Sequence, residues 1–516
     1  MKKIIASILL ALPASAWSLT IDIFHTSDVH GWYSARPAKW DKENSTRTVG
    51  GFPALAALAA ADKNPHILLD SGDTFQGTPE GNLTRGMATV RLMNQLGYAA
   101  ADVGNHDFDY GEQNLRDMVA ASSFPWVGGN AYLKADGKPL DYLKPYTLVE
   151  AGGKRIAVIG ILGRHTATST LPANVKHIEF RSEPQEAARL TEEVKKLNPD
   201  AIVILAHIGL EGLAGGKVDV STWTFTPEQA AYGTLAVARA AKGANVVIGG
   251  HNHTGLLKGY YDKESGVLLA ESYWMLTDVS KISLRFDDAT GKFAGASDEL
   301  VPLWTDRTGE DQAVAATIKD FTAAVDKQMN VVIGRSDVDL LTSTATPDSA
   351  IGNWNTDAIR RQTGADVAFQ NTAGIRAVLR KGPITMRDIY QVMPFENTLA
   401  KLTMTGDQLK RLFADNLRGG RSSLQVSGLT VKYRATPQGP QDITITRAGK
   451  ELKPDETVSV MTNNYLAFGG TGGKVFGEAK DLTDTMQPIR DILIKDVKEN
   501  PVTALPEGGR IIPLKD

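Results

Sequence analysis

The chain has 516 residues, room for two or three domains at about 100–200 residues each. Its apolar and charged fractions are those of a soluble globular protein, and its formal net charge of −3 gives no electrostatic support for binding a nucleic-acid polymer. It contains no cysteine, which excludes disulfides, thiolate metal ligands and a lipidated N-terminal cysteine.

At the N-terminus, Lys2 and Lys3 precede a short apolar stretch, 4–12, and then Ala14-Ser15-Ala16. This order reads as a secretory signal peptide over 1–16, cleaved near Trp17, and places the protein in the periplasm. The stretch is too short to span a bilayer and no later apolar run is long enough, so the mature protein is expected to have no membrane anchor.

Apolar runs at 21–24, 66–69, 99–103, 156–161, 201–206 and 245–248 read as buried strands. Helical patterns lie between them, at 54–61, 89–96 and 184–196. Alternation of this kind predicts a layered α/β domain, taken as 17–305. Residues 311–329 read as one amphipathic helix between Gly309 and Gly334, a bridge over 306–334. The remainder, 335–516, mixes helices (349–363, 406–416) with strands (367–369, 398–404, 429–433, 457–462) and reads as a second α/β or α+β domain.

Five of the strand candidates run into metal-binding residue types. They lead to His25-Thr26-Ser27-Asp28-Val29-His30, to Asp70-Ser71-Gly72-Asp73, to Gly104-Asn105-His106-Asp107, to His207, and to Gly249-Gly250-His251-Asn252-His253. Sites in open α/β sheets lie outside the carboxyl ends of strands, so these groups can converge. In extended backbone, residues two apart point to one side; Asp28 and His30 can then share an ion, and His251 with His253 can straddle two. Imidazole and carboxylate donors suit zinc, manganese, iron or cobalt and select none of them. Two divalent ions bring about +4 and Asp28 with Asp73 about −2, a positive remainder able to hold a phosphate dianion. Asn105, being neutral, preserves that remainder. His25, His66, His165 and His177 lack such partners and read as core or surface residues.

These N-terminal motifs resemble a calcineurin-type metallophosphatase domain. The segments Asn371-Thr372-Ala373-Gly374-Ile375-Arg376, Pro394-Phe395-Glu396-Asn397-Thr398-Leu399 and Asn463-Asn464-Tyr465 through Gly472 resemble the 5′-nucleotidase C-terminal domain, as in the bacterial periplasmic 5′-nucleotidase and UDP-sugar hydrolase family. The resemblance implies a four-layer α/β/β/α metallophosphatase domain joined by a helix to a smaller α/β (α+β) nucleotide-binding domain, with rotation of one domain against the other. It implies two divalent metal ions. Asp28, His30 and His253 would hold one, Asn105, His207 and His251 the other, and Asp73 would bridge them. His106 falls outside that set and would act on the transferring phosphate, with Asp109 orienting it. Arg376 would grip phosphate oxygens, Phe395 and Tyr465 would sandwich the base of a nucleotide substrate, and Asn371 and Asn397 would add polar contacts.

The chain departs from the family pattern at three points. Thr471 stands where an aspartate often takes two ribose hydroxyls, the stretch 344–348 lacks an arginine, and Thr372 and Ala373 replace glycines. Three readings therefore stay open: a 5′-nucleotidase, a related phosphoesterase for 2′,3′-cyclic nucleotides or nucleotide sugars, and a periplasmic nucleotide-binding protein without turnover.

Overall fold

The computed structural model describes residues 19–514, residues 214, 419 and 480 excepted, so the signal-peptide segment 1–16 lies outside the described residues. Two six-stranded sheets fill the N-terminal part. The first runs in the order Phe293–Pro302, Asp278–Phe286, Leu19–Thr26, His66–Asp70, Tyr98–Asp102, Trp126–Val127. The second runs Tyr260–Asp262, Val267–Glu271, Val246–Gly249, Ala201–His207, Lys154–Leu162, Tyr146–Ala151. Every apolar run read as a strand is one, and the physical reason is burial on both faces, which removes any need for polar alternation.

Alternate residues face opposite ways. Ile21, Ile23 and Leu69 of the first sheet pack against Val158, Val203 and Ile248 of the second, forming the core between sheets. Phe24 and Leu68 point outward to the helices Phe52–Ala61, Met87–Leu96 and Glu112–Ala121. Ile159 and Ile204 point to Glu183–Lys195 and Gly233–Ala240 on the far side. The result is four layers, α/β/β/α. The central strands of each sheet are parallel, so their carboxyl ends share an edge. The two edges meet: His207 Nδ1 lies 2.6 Å from Ser71 O, across from one sheet to the other.

The helix Gln312–Met329 starts where Asp311 caps it, the carboxylate accepting from Val314 N at 2.9 Å. Its Val314 and Ile318 join the outer core of the first sheet, and it also touches the helix Met386–Val392 of the C-terminal part. That part is built on a mixed five-stranded sheet, ordered Leu424–Ser427, Val367–Asn371, Thr457–Asn463, Thr398–Thr405, Thr483–Pro488. The helices Ala350–Thr363 and Ile489–Glu499 pack on one face through Ile351, Ile359, Ile492 and Leu493. The helix Gly406–Asn416 and a small four-stranded sheet cover the other through Leu409, Phe413, Val431 and Ile445.

Between the two parts, Arg387 pairs with Glu80 of the N-terminal part and with Asp326 of the connecting helix, and Asn82 donates to Pro394 O. Among the described residues, no helix is long and apolar enough to cross a membrane.

Candidate metal centre and substrate cleft

The five loops that follow the parallel strands come together at the joined sheet edges. They do so by a route different from the one the spacing predicts. Asp28, His30, Asp73, His251 and His253 are not in extended backbone; all have positive φ, between 49° and 70°. Left-handed backbone is costly for residues with a Cβ, and five such residues in one cluster are held there by their surroundings. Side chains two apart converge because the chain turns at both residues. A strand would have carried the second donor about two residues' rise away.

Glycines allow the loops to close on one another. A Cβ on Gly72 would overlap the backbone of Gly104, and a Cβ on Gly104 would overlap the backbone and carboxylate of Asp73. The carboxylate of Asp107, fully buried, then fastens both loops, accepting from Asp73 N and Thr74 N at 3.0 Å and from Gly104 N at 2.8 Å.

The donor atoms face one space. Asp28, His30 and His253 each offer an atom within 4.8 Å of the others, as do Asp28, Asp73 and His207. His207 Nε2 lies 3.3 Å from Asp73 Oδ2, and His253 Nε2 lies 3.5 Å from Asp28 Oδ1. The Nε2 atoms of His30 and His253 approach to 3.1 Å, both aimed at one spot. Their ring orientations are set from behind: His30 Nδ1 lies 2.7 Å from Gln76 O, and His207 Nδ1 has Ser71 O. Such backing is how imidazoles are presented to a metal. His207 Nε2 and Asn105 Oδ1 are buried and have no hydrogen-bond partner among the described residues. Buried polar atoms are rarely left so, and a cation at this place would satisfy both. Burial and then Arg376 take His30 down to about 3, which keeps its imidazole neutral. Burial raises the Asp73 carboxyl, but His207 and His106 beside it hold it well below the usual carboxylate range. Burial lowers His207, but Asp73 takes it up to about 10, so in the absence of a cation this pair holds a proton that a metal ion would displace. Neutral imidazole and ionised carboxylate are the metal-binding forms. The residues present fit divalent metal ions.

His106 stands at the rim. Its backbone N–H donates to Asp73 Oδ1 at 2.7 Å, its Nδ1 lies 2.8 Å from Asp109 Oδ2, and Asp109 Oδ1 accepts from Thr170 Oγ1 at 2.8 Å. Nε2 is thus the ring nitrogen left for the cleft. Burial lowers the ring's proton affinity, but Asp109 and Asp73 outweigh it and the net shift is upward.

A cavity of about 380 Å³ separates these groups from the C-terminal part. Asp73, Asn105, His106, Asp109, His251 and His253 line one wall. Asn371, Arg376, Phe395, Asn397 and Tyr465 line the other, so the C-terminal residues read from sequence share the cleft with the metal motifs. Asp28, His30 and His207 lie deeper, each less than 3% exposed. Arg376 Nη2 reaches within 3.3 Å of His30 Nε2, and the Phe395 ring rests 5.4 Å from that of His106. Tyr465 donates its hydroxyl to Thr168 O across the cleft at 2.7 Å. Asn371 Oδ1 accepts from Asn463 Nδ2 at 2.8 Å, and Asn397 Nδ2 donates to Asn464 Oδ1 at 2.9 Å. Thr471 also lines the cavity, its N–H donating to the Tyr465 hydroxyl at 2.9 Å.

Four residues at the site carry no signal that spacing could reveal. Gln76 lines the cavity with both side-chain polar atoms buried and without a partner among the described residues. Trp274 stacks on His253 with centroids 4.4 Å apart. Thr170 holds Asp109. His165, read from sequence as a core or surface residue, instead stacks on His251 at 3.6 Å. Of the other histidines set aside, His25 is buried against Ser71, and His177 pairs with Glu112 on the surface.

Comparison with known proteins agrees with this geometry. Residues 21–255 match the model of calcineurin-like phosphoesterases, and residues 332–478 match that of the 5′-nucleotidase C-terminal domain. The chain is 26% identical over 508 residues to a 5′-nucleotidase of Vibrio cholerae, covering 89% of this chain and 87% of that one. It is 26% identical over 477 residues to endonuclease YhcR of Bacillus subtilis, covering 88% of this chain. The chain spans little more than a third of the length of that relative and of another from the same organism. The crystal structure of a 5′-nucleotidase precursor from Thermus thermophilus superposes with a TM-score of 0.83 at 26% identity, covering 96% of this chain and 100% of that one. The chain belongs to the metallophosphatase family whose members join a calcineurin-like phosphoesterase domain to a 5′-nucleotidase C-terminal domain.

Proposed function

We propose that the protein is a dinuclear-metal phosphoesterase that hydrolyses nucleotides, nucleoside 5′-monophosphates foremost, to nucleoside and phosphate. One observation carries the reading. A buried set of imidazole, carboxylate and amide donors, two of its atoms unsatisfied, faces a cavity whose opposite wall offers a guanidinium and two aromatic rings. In this reading Asp28, His30 and His253 hold one ion, Asn105, His207 and His251 the other, and Asp73 bridges them. Zinc, manganese, iron and cobalt all suit such donors. Ions held there would polarise phosphoryl oxygens and lower the pKa of a bound water.

The chain's own groups do the rest. Arg376, on the C-terminal wall, takes phosphate oxygens and orients the ester toward the donor cluster. His106, oriented through Asp109 and Thr170, presents Nε2 to the charge that develops on the phosphoryl group or to the leaving oxygen. Phe395 and Tyr465 offer ring faces to a base, which favours nucleotides with limited choice among bases. Asn371 and Asn397 supply polar contacts beside them.

The same reading divides the chain at 17–305, 306–334 and 335–516 and exports it to the periplasm through a signal peptide at 1–16. A second substrate class, 2′,3′-cyclic nucleotides or nucleotide sugars, is favoured by Thr471. Its Oγ1 donates to Thr168 O at 3.3 Å, and its side chain offers no carboxylate to ribose hydroxyls.

Hydrolysis of AMP, 2′,3′-cyclic AMP, ATP and UDP-glucose by purified, metal-loaded protein, read by chromatography of the nucleotide products as well as by free phosphate, tests the proposal. AMP is expected to lead. A cyclic nucleotide or UDP-glucose ahead of it moves the assignment to the second class, and no turnover of any of them overturns it in favour of a binding protein.

A further inference from the structure

The donor set above leaves one nearby imidazole unused. His165 follows the strand Lys154–Leu162 and begins the short helix Thr166–Ser169. Its ring lies nearly parallel to that of His251, centroids 3.6 Å apart and planes 25° apart, and 6.1 Å from the ring of His207. A nitrogen atom of each of the three histidines lies within 4.8 Å of the other two. His165 Nε2 is buried and has no hydrogen-bond partner among the described residues, the same condition as His207 Nε2.

The position is built. A Cβ on Gly163 would overlap the His165 ring, so a side chain there would push the imidazole out of its place. The helix that His165 begins is tied to the site at its other end, where Ser169 O accepts from Asn105 Nδ2 at 3.1 Å. The segment therefore touches two of the groups assigned to one ion, Asn105 through a hydrogen bond and His251 through a stacked ring.

We propose that His165 is a further ligand of the ion assigned to Asn105, His207 and His251. This rests on the reading that the cluster holds divalent ions. That ion then has three imidazoles, whereas its neighbour has the Asp28 carboxylate with the imidazoles of His30 and His253. A donor set richer in nitrogen suits zinc or iron better than manganese, which prefers oxygen, so the two positions differ in metal preference. The competing role is a stacked ring that merely orients His251.

His165→Phe separates the two, because it keeps an aromatic ring on His251 and removes the donor. The full mature protein is stripped with a chelator and reloaded with cobalt. Bound ions per chain, affinity by chelator competition and the visible cobalt absorption are then read. Wild type is expected to bind two ions. H165F is expected to keep one ion tightly and to hold the second about tenfold or more weakly, since even the loss of a supporting contact costs about 10–100-fold. Its cobalt spectrum should change as well. His165→Gln, which loses the ring and keeps a donor atom, should recover part of the lost affinity. An H165F protein that binds both ions with wild-type affinity and an unchanged spectrum overturns the assignment. So does loss of both ions together, or a glutamine variant weaker than the phenylalanine one. A wild-type protein that takes up no divalent ion overturns instead the metal reading beneath it.

Discussion

The two walls of the cleft are built differently. On the N-terminal wall, rigidity is local: five left-handed residues sit within three short loops, rings are fixed from behind by backbone carbonyls, and the Asp107 carboxylate ties two loops together. On the C-terminal wall, Phe395 is held from far along the chain. Arg490, only 5% exposed, donates to the carbonyl oxygens of Met393, Pro394 and Phe395 at 2.9–3.0 Å. The first wall is a fixed frame for cations. The second is a surface whose side chains also reach across the cleft, through Arg376, Tyr465 and Thr471. Under the proposed function, the first wall supplies the metal chemistry, and the second supplies the base contacts together with the Arg376 grip on phosphate.

The largest effect should come from the bridge on the first wall. Asp73→Ala should reduce metal content and phosphate release together, both below detection; a variant that keeps its full complement of metal would show that the bridge is elsewhere. His106→Ala comes next. It should cut kcat by about 10²–10⁴-fold while metal content, read by elemental analysis, stays at the wild-type level. Loss of metal would move His106 into the ligand set.

The second wall should respond more selectively. Phe395→Ala should lower kcat/KM for AMP by about 5–150-fold, the equivalent of about 1–3 kcal/mol of base stacking, and leave a baseless phosphate ester nearly unchanged. Equal losses on both substrates would remove Phe395 from the base site. The smallest effect belongs to the contact between the walls. Glu80→Gln removes one of the two carboxylates on Arg387, whose side chain is 20% exposed. Thermal unfolding should show a cost of about 0.2–1 kcal/mol, the size of an ordinary partly solvated ion pair. A larger loss would mean that this pair holds the two parts together far more strongly than an ordinary surface pair.

Much of the first wall was legible because its motifs follow unbroken apolar runs. Residues 21–24, 66–69 and 201–206 are buried on both faces, and a parallel strand of that kind delivers whatever follows it to one sheet edge. Asp28, His30, Asp73 and His207 could therefore be placed together from their positions after those runs. Asp28 and His30 pair through turns and not through the extended backbone that their spacing predicts, since left-handed φ has no marker in a residue's identity. The place of His165 is not legible in the sequence, because nothing next to it hints at the ring it stacks on, 86 positions later at His251. Trp274, Gln76 and Arg490 are silent in the sequence for the same reason.

By itself, the order of residues determined the layers of the fold and the kinds of donor atom at the strand ends, because period, burial and side-chain chemistry are properties of short segments. Only the tertiary structure decided which imidazole faces which, how far Arg376 stands from His30, and that the Thr471 hydroxyl donates to Thr168 O. Those are distances between atoms tens to hundreds of residues apart, and they exist only once both sheets and the C-terminal part have packed.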